Sequence, residues 1–202
     1  MGIVDGRART AREHMVYSAA QMLRERGVGA TGVRDVVDRA AAPRGSFQHY
    51  FPGGKDQLIS EALLWAGEHA AEEVRSYLAG ARKPSPSGLF AHMVAQWKRE
   101  YSSRGFDRGC PVMAAAAEVI GTPSPIAEPL TDALRGWQAA IAAALAQMGV
   151  PARRRVPLAA LMLSALEGAI MMARVYQSVQ PLTTAVTELK PLLDASCAEW
   201  GG

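Results

Sequence analysis

Cysteine is almost missing from this 202-residue sequence: Cys110 and Cys197 are the only two. They lie too far apart for a zinc-ligand spacing and are too few for a disulfide framework, so a reducing compartment, the cytoplasm, is expected. Aromatic residues make up 6% of the chain, and histidine occurs only at His14, His49, His69 and His92. There is no G-x-S-x-G and no glycine-rich phosphate loop after a strand. With no catalytic constellation assembled, the chain is not expected to be an enzyme, and no cofactor or metal is implied. Period-two alternation over strand length is also missing, which excludes sheets and leaves an all-α fold. Residues 1–15 hold no apolar core with a small-residue cleavage site, so no secretory signal is expected.

Long apolar runs are scarce too. The longest, VPLAALMLSALEGAIMMA (residues 156–173), only reaches the ~17–20 residues that a bilayer requires. It carries Pro157, Ser164, Glu167 and Gly168, and a mid-span glutamate is costly in lipid. A helix covered by protein on both sides explains the same composition, so no membrane partner is expected.

What the chain has is 49% hydrophobic and 20% charged residues, enough for a sizeable core. Its charge is uneven. Residues 1–55 hold nine Lys or Arg against five acids, a balance of +4, while the remaining thirteen basic and fourteen acidic residues leave the rest at −1. A polyanion at the N-terminal end suits that asymmetry.

Helical periodicity and stop signals place helices at about 10–26, 33–39, 44–49 and 55–81. Further helices fall at 89–101, 111–120, 126–148, 157–179 and 183–200. RKPSPS, residues 82–87, reads as a linker. The expected organisation is a three-helix DNA-binding domain (1–54), a connecting fourth helix (55–82) and a helical bundle (83–202).

The stretch TGVRDVVDRAAAPRGSFQHYFPGGKDQL, residues 31–58, packs two short helices around a tight turn at Ala40, Ala41 and Ala42. That is helix-turn-helix spacing, in which the second helix enters the DNA major groove. Phe47 and Phe51, four apart, face inward. Arg44, Ser46, Gln48 and His49 are left to reach bases or phosphates, and glutamine pairs bidentately with adenine. Tyr50 and Lys55 suit phosphate oxygens, Thr31 is placed to cap the second helix, and Arg34 faces out beside it. Arg7, Arg9 and Arg12 form either a basic arm or a solvated helix start.

On these residues the N-terminal region resembles the TetR family of bacterial repressors. The T-x-V-R-D-V opening, the P-R-G-S-F turn and H-Y-F-P-G-G-K-D-Q-L carry the likeness. The P-G-G-K form and GCPVMAAAAEV, residues 109–119, are similar to its LmrA/YxaF-like branch. Two departures stand out. Ala41-Ala42 replaces the family's frequent Gly-Val, and Gln48 stands where an aromatic is common.

Residues 157–179 are apolar all round. Leu158, Leu161, Met162, Ala165, Ala169, Met172 and Tyr176 fall on one face, and a second subunit is the economical cover for it. A homodimer built on this helix and the last one (Leu189, Leu193) is therefore expected. The resemblance implies the same, together with a double-stranded operator and repression. Phe90, Met93, Trp97, Tyr101, Met113, Trp137, Leu163, Glu167, Ile170 and Met171 are the candidate lining for a small, largely apolar effector, or simply core. Glu167 either meets that ligand or pairs with Arg174. The resemblance implies that a ligand between the fifth and eighth helices shifts the sixth, which pushes the fourth. Two alternatives stay open: control by a partner protein, or an enzyme site using Glu167 with Tyr101 or His92. His92 reads as an ordinary core or surface residue, and Cys110 as a packing residue with a minor option of redox sensing.

Overall fold

The computed structural model describes residues 10–43 and 45–197. In chain order these form α1 (Ala11–Arg26), α2 (Val33–Arg39), α3 (Ser46–Tyr50), α4 (Gly54–Gly80) and α5 (Pro86–Arg104). There follow α6 (Pro111–Val119), α7 (Ala127–Gln147), α8 (Ala152–Tyr176) and α9 (Gln180–Asp194), then a 3-10 turn at Ala195–Cys197. No strand occurs among the described residues, so the fold is all-α as expected. Arg7, Arg9, Arg44 and Trp200 lie outside the described residues.

Local chemistry sets the helix ends. Thr10 caps α1 through a capping box: its hydroxyl accepts from the Glu13 N–H at 3.3 Å, and the Glu13 carboxylate accepts from the Thr10 N–H at 2.6 Å. The expected linker contributes to a helix start instead. Ser85 caps α5 by accepting from the Gly88 N–H at 3.1 Å, and Pro86 takes the first-turn position where a missing N–H costs nothing. Expected helix starts at residues 89 and 157 therefore move back to Pro86 and Ala152. Pro157 sits inside α8, one turn beyond the helix start, where it has no N–H to give the Arg153 carbonyl.

The chain forms two compact units. One holds the chain up to Glu68 together with Gly109–Leu134; the other holds His69–Arg108 and the chain from Arg135 onward. These units cut the chain elsewhere than the linear boundaries at 54 and 82, because α6 and the start of α7 belong with the N-terminal helices. In the first unit α1 packs on α2 and α6, around Met15, Met22, Leu23, Val36 and Phe51. A Cβ on Gly67 of α4 would lie 2.8 Å from the Ala133 carbonyl oxygen of α7, so glycine lets those two backbones touch. In the second unit α5, α8 and α9 pack together, burying Phe90, Met93, Leu163, Leu182 and Leu193.

The α2–α3 turn is tight, and Ala41 holds it at φ +50° in the left-handed region. An alanine there is strained by about 1–2 kcal/mol, the cost of the departure noted above. Part of that is offset because glycine loses more backbone freedom on folding. Ala41→Gly should therefore raise unfolding stability by about 0.5–1 kcal/mol in urea melts at unchanged m-value. Ala41→Val should lower it.

Candidate functional site

Five residues after α1 set the position of everything that faces outward. α1 ends at Gly27, whose φ of +76° requires glycine. Thr31 is buried, only 1% exposed, and its hydroxyl donates to the Gly27 carbonyl at 2.6 Å. Gly32, with no side-chain bond, is the N-cap of α2. The expected role of Thr31 at DNA is therefore corrected: its hydroxyl is spent inside the protein, closing the end of α1.

α3 rises from the Ala41 turn. The Ser46 hydroxyl donates to the Pro43 carbonyl at 2.7 Å and leaves a lone pair outward. Phe51 is fully buried, its ring 5.4 Å from that of Phe47, and the Arg12 guanidinium lies 5.4 Å over the Phe51 ring. Phe51 is thus turned inward as expected, and Phe47 packs on it half-buried. Gln48 and His49 are exposed, while Tyr50 is half-buried with its ring 5.1 Å from the His49 ring. The Gln48 amide makes only a long 3.5 Å approach to the Pro52 carbonyl, which leaves its donor and acceptor available to a base edge.

Much of the N-terminal basic charge is already partnered. Arg12 bridges Glu61 at 2.6 Å, Arg26 meets Asp35 at 3.3 Å, and Arg39 binds Glu25 through two bonds of 2.7 and 2.8 Å. The hydrogen bond it donates to Glu25 holds the Arg39 guanidinium above its ordinary pKa, against an opposing effect of burial. Arg12 is thus a structural residue rather than part of a basic arm. Arg34 is exposed on α2, and Lys55 at the start of α4 reaches the Gly29 carbonyl at 3.3 Å. These two, with Gln48, His49, Ser46 and Tyr50, make up the described part of the candidate DNA surface.

Sequence reasoning missed Glu118. From the end of α6 its carboxylate accepts the Val28 and Gly29 N–H groups, both at 2.7 Å. It is the only charged side chain between residues 109 and 127, a signal visible in the sequence.

The bundle requires a rotation of the expected faces. Leu158, Met162, Ala169 and Leu193 are buried in their own unit, so they are not available to a second chain. Leu161, Met172 and Tyr176 are exposed, and Ala165 and Leu189 are half-buried. Met171, expected inside, is 51% exposed, whereas Leu163 and Ile170 are buried. The error was a wheel turned by roughly 60°: with apolar residues all round, periodicity does not say which side is covered. Phe90, Met93, Tyr101 and Trp137 are buried in the second unit, and Trp97 and Glu167 are half-buried there; Met113, half-buried on α6, belongs to the first. Arg174 donates to the Phe106 and Asp107 carbonyls, both at 3.2 Å. α8 is long and apolar enough to cross a membrane, but 44% of its apolar window is buried inside the protein.

Comparison with known proteins agrees with this geometry. Residues 17–62 match the family model of bacterial regulatory proteins, tetR family. Residues 86–188 match that of the LmrA/YxaF-like transcriptional regulator C-terminal domain. The HTH-type transcriptional regulator Rv0196 of Mycobacterium tuberculosis is 36% identical, over 93% of this chain and 96% of its own. HTH-type transcriptional regulator LmrA of Bacillus subtilis is 25% identical, over 85% and 90%. The crystal structure of reduced NemR from E. coli superposes with a TM-score of 0.76 at 22% identity, covering 93% of this chain and 98% of that one. That of regulatory protein TetR from Rhodobacter sphaeroides gives 0.75 at 23% identity, over 90% and 97%.

Gln48 and Thr31 should separate in experiment. Gln48→Ala is expected to weaken specific DNA binding by about 1–3 kcal/mol, roughly tenfold to a hundredfold, at unchanged stability. Thr31→Val should do the reverse, lowering unfolding free energy by about 1 kcal/mol with little direct effect on DNA contacts. Fluorescence anisotropy with labelled duplex and urea melts read the two quantities.

Proposed function

The chain belongs to the TetR family of bacterial regulatory proteins, in its LmrA/YxaF-like branch, and on that premise we propose that it is a homodimeric repressor released from a two-fold operator by a small, largely apolar ligand. Its relatives are transcriptional regulators, not enzymes.

The outer face of α8 carries this reading. Leu161, Met171, Met172, Val175 and Tyr176 are exposed along it, with Ser164 and Gly168 exposed in the middle. Large apolar side chains at both ends of a helix stripe, with small residues between, let a second α8 approach closely and cover them. α9 adds less: Leu192 is exposed and Leu189 half-buried beside mostly polar neighbours. A two-fold pair of α8 helices gives two copies of α3, which is what a palindromic operator requires.

Support for a ligand comes from the second unit. Phe90, Met93, Tyr101, Leu163 and Ile170 give it an apolar interior. Trp137 is 6% exposed, and its indole N–H has no acceptor among the described residues. A buried donor of that kind favours an effector that brings one hydrogen-bond acceptor on an apolar body.

Titration into the intergenic DNA upstream of the protein's own gene tests the reading. The expected result is saturable binding of two chains per site, falling steeply as salt rises. Gly168→Arg tests the dimer face. A Cβ at Gly168 meets nothing within 4 Å in its own chain, so the substitution should not strain the protomer and should favour helix slightly. Sedimentation should then show monomers and operator affinity should drop; an intact dimer of wild-type affinity would remove this face as the interface.

A further inference from the structure

The chain passes from α3 to α4 in a tight turn, residues 51–54, closed by the Gly54 N–H donating to the Phe51 carbonyl at 2.9 Å. Pro52 and Gly53 form its centre, and both are exposed. A Pro-Gly pair suits a type II turn, which holds its third residue at positive φ. Gly53 does not take that conformation; the positive φ of this loop falls on Gly54, at +73°. The closed turn is therefore of the type I kind, although its sequence favours the other form. The two forms differ by a half-turn of the central peptide, here the one that carries the Pro52 carbonyl and the Gly53 N–H. Something must hold that peptide as it is.

A chain of hydrogen bonds inside the first unit does so. The Gly53 N–H donates to Gln57 Oε1 at 2.9 Å. Gln57 is half-buried, and its own Nε2 donates to Glu61 Oε1 at 3.0 Å. Arg12 holds that same Oε1 at 2.7 Å and the other carboxylate oxygen at 2.6 Å. Its guanidinium also lies over the ring of Phe51, the buried residue that opens the turn. A Cβ on Gly53 would come within 3.2 Å of Gln57 Cβ and Oε1, so glycine keeps this approach uncrowded. On the opposite side of the same peptide, the Pro52 carbonyl faces Gln48 Nε2 at 3.5 Å, the outer limit of a hydrogen bond. That distance still settles the sense of the amide, since turning it over would set Oε1 against the carbonyl oxygen. One Nε2 hydrogen and Oε1 stay free, the pair that a base edge needs.

We propose that Gln57 is a positioning residue for Gln48, acting through the Pro52–Gly53 peptide, with Glu61 and Arg12 as its anchor. This rests on the reading of Gln48 as a residue that meets bases, but the lock on the turn needs no DNA. Without the Gln57 acceptor the peptide is free to turn over toward type II, a form that glycine adopts without steric cost. The Pro52 carbonyl then leaves Gln48, whose amide is no longer held in one sense. Bidentate pairing requires the N–H and the C=O side by side in one order, so the lock reduces what Gln48 loses in freedom on binding. Arg12 thus serves base reading at a distance, through Glu61 and Gln57, and not as a phosphate contact.

The test uses the full chain, with and without DNA, and the variant Gln57→Met, which keeps length and helix propensity but offers only a weak acceptor. Without DNA, turning the peptide over brings the Pro52 Hα beside the Gly53 N–H. Gln57→Met should strengthen the nuclear Overhauser effect between them and shift the Gln48 side-chain NH2 signals. Thr31→Val, which loosens the same unit elsewhere, should do neither. Glu61→Gln should stay close to wild type, because the one oxygen that accepts both bonds is retained. With DNA, anisotropy compares the upstream intergenic fragment with a scrambled duplex. Gln57→Met should lower the preference by roughly threefold to tenfold in the wild-type background and leave it unchanged when combined with Gln48→Ala, at the same salt slope. Wild-type signals from the turn and from Gln48 in folded Gln57→Met would overturn the proposal. An equal loss with and without Gln48→Ala would overturn it too, as general loosening of the surface. Failure of the DNA reading is seen separately, as a wild type that binds both duplexes alike.

Discussion

The amides of Val28 and Gly29 follow a helix end, where neither has a helical carbonyl to bind, and the Glu118 carboxylate takes both. Around that contact other groups of the turn are engaged: Gly27 through its carbonyl with Thr31, and Gly29 through its carbonyl with Lys55. The direction of α2 follows from how this turn is closed. From α2 the tight Ala41 turn aims α3, and buried Phe51 fixes its far end. A side chain remote in sequence thus sets the angle at which Gln48 and His49 are presented.

Charge pairing limits what that surface can do alone. Arg12, Arg26 and Arg39 each face a carboxylate, so the net positive balance of the N-terminal region overstates the donors it offers to phosphate. With Arg34 and Lys55 as the described cations toward DNA, one protomer makes few electrostatic contacts, and so few leave its affinity low at ordinary salt. The proposed dimer would double those contacts. The uncovered stripe on α8 and the modest charge around α3 are therefore two sides of one requirement.

The local elements were legible in the sequence because their causes are local. Apolar spacing with Gly27 and Gly29 as stop signals announces the first helix, Phe47 and Phe51 a shared inward face, and the 31–58 stretch a helix-turn-helix. Three features were not legible, because their causes lie outside the pattern of the element itself. Thr31 has the chemistry of a cap, yet its hydroxyl is taken by the end of the preceding helix. α8 is apolar on every side, so its buried face is settled only by where α5 and α9 pack. Glu118 was visible as a lone charge in an apolar stretch, but its partners are backbone groups some ninety positions earlier, and backbone groups leave no mark in a sequence.

A release mechanism built on these contacts also has to meet a quantitative demand. Taking a regulator from almost wholly operator-bound to almost wholly free requires about 5.5 kcal/mol of difference between the two states. An ordinary hydrogen bond contributes about 0.5–1.5 kcal/mol, and one to a charged group more, reduced where water competes, as it does at the exposed Glu118. No single contact of that size meets the demand. The Arg24–Gly109 pair and the two Glu118 bonds together come to about a few kcal/mol per protomer, and the proposed dimer, changing state as a unit, would count them twice. In the proposed dimer, two-fold symmetry would thereby also bring release within reach of a small ligand.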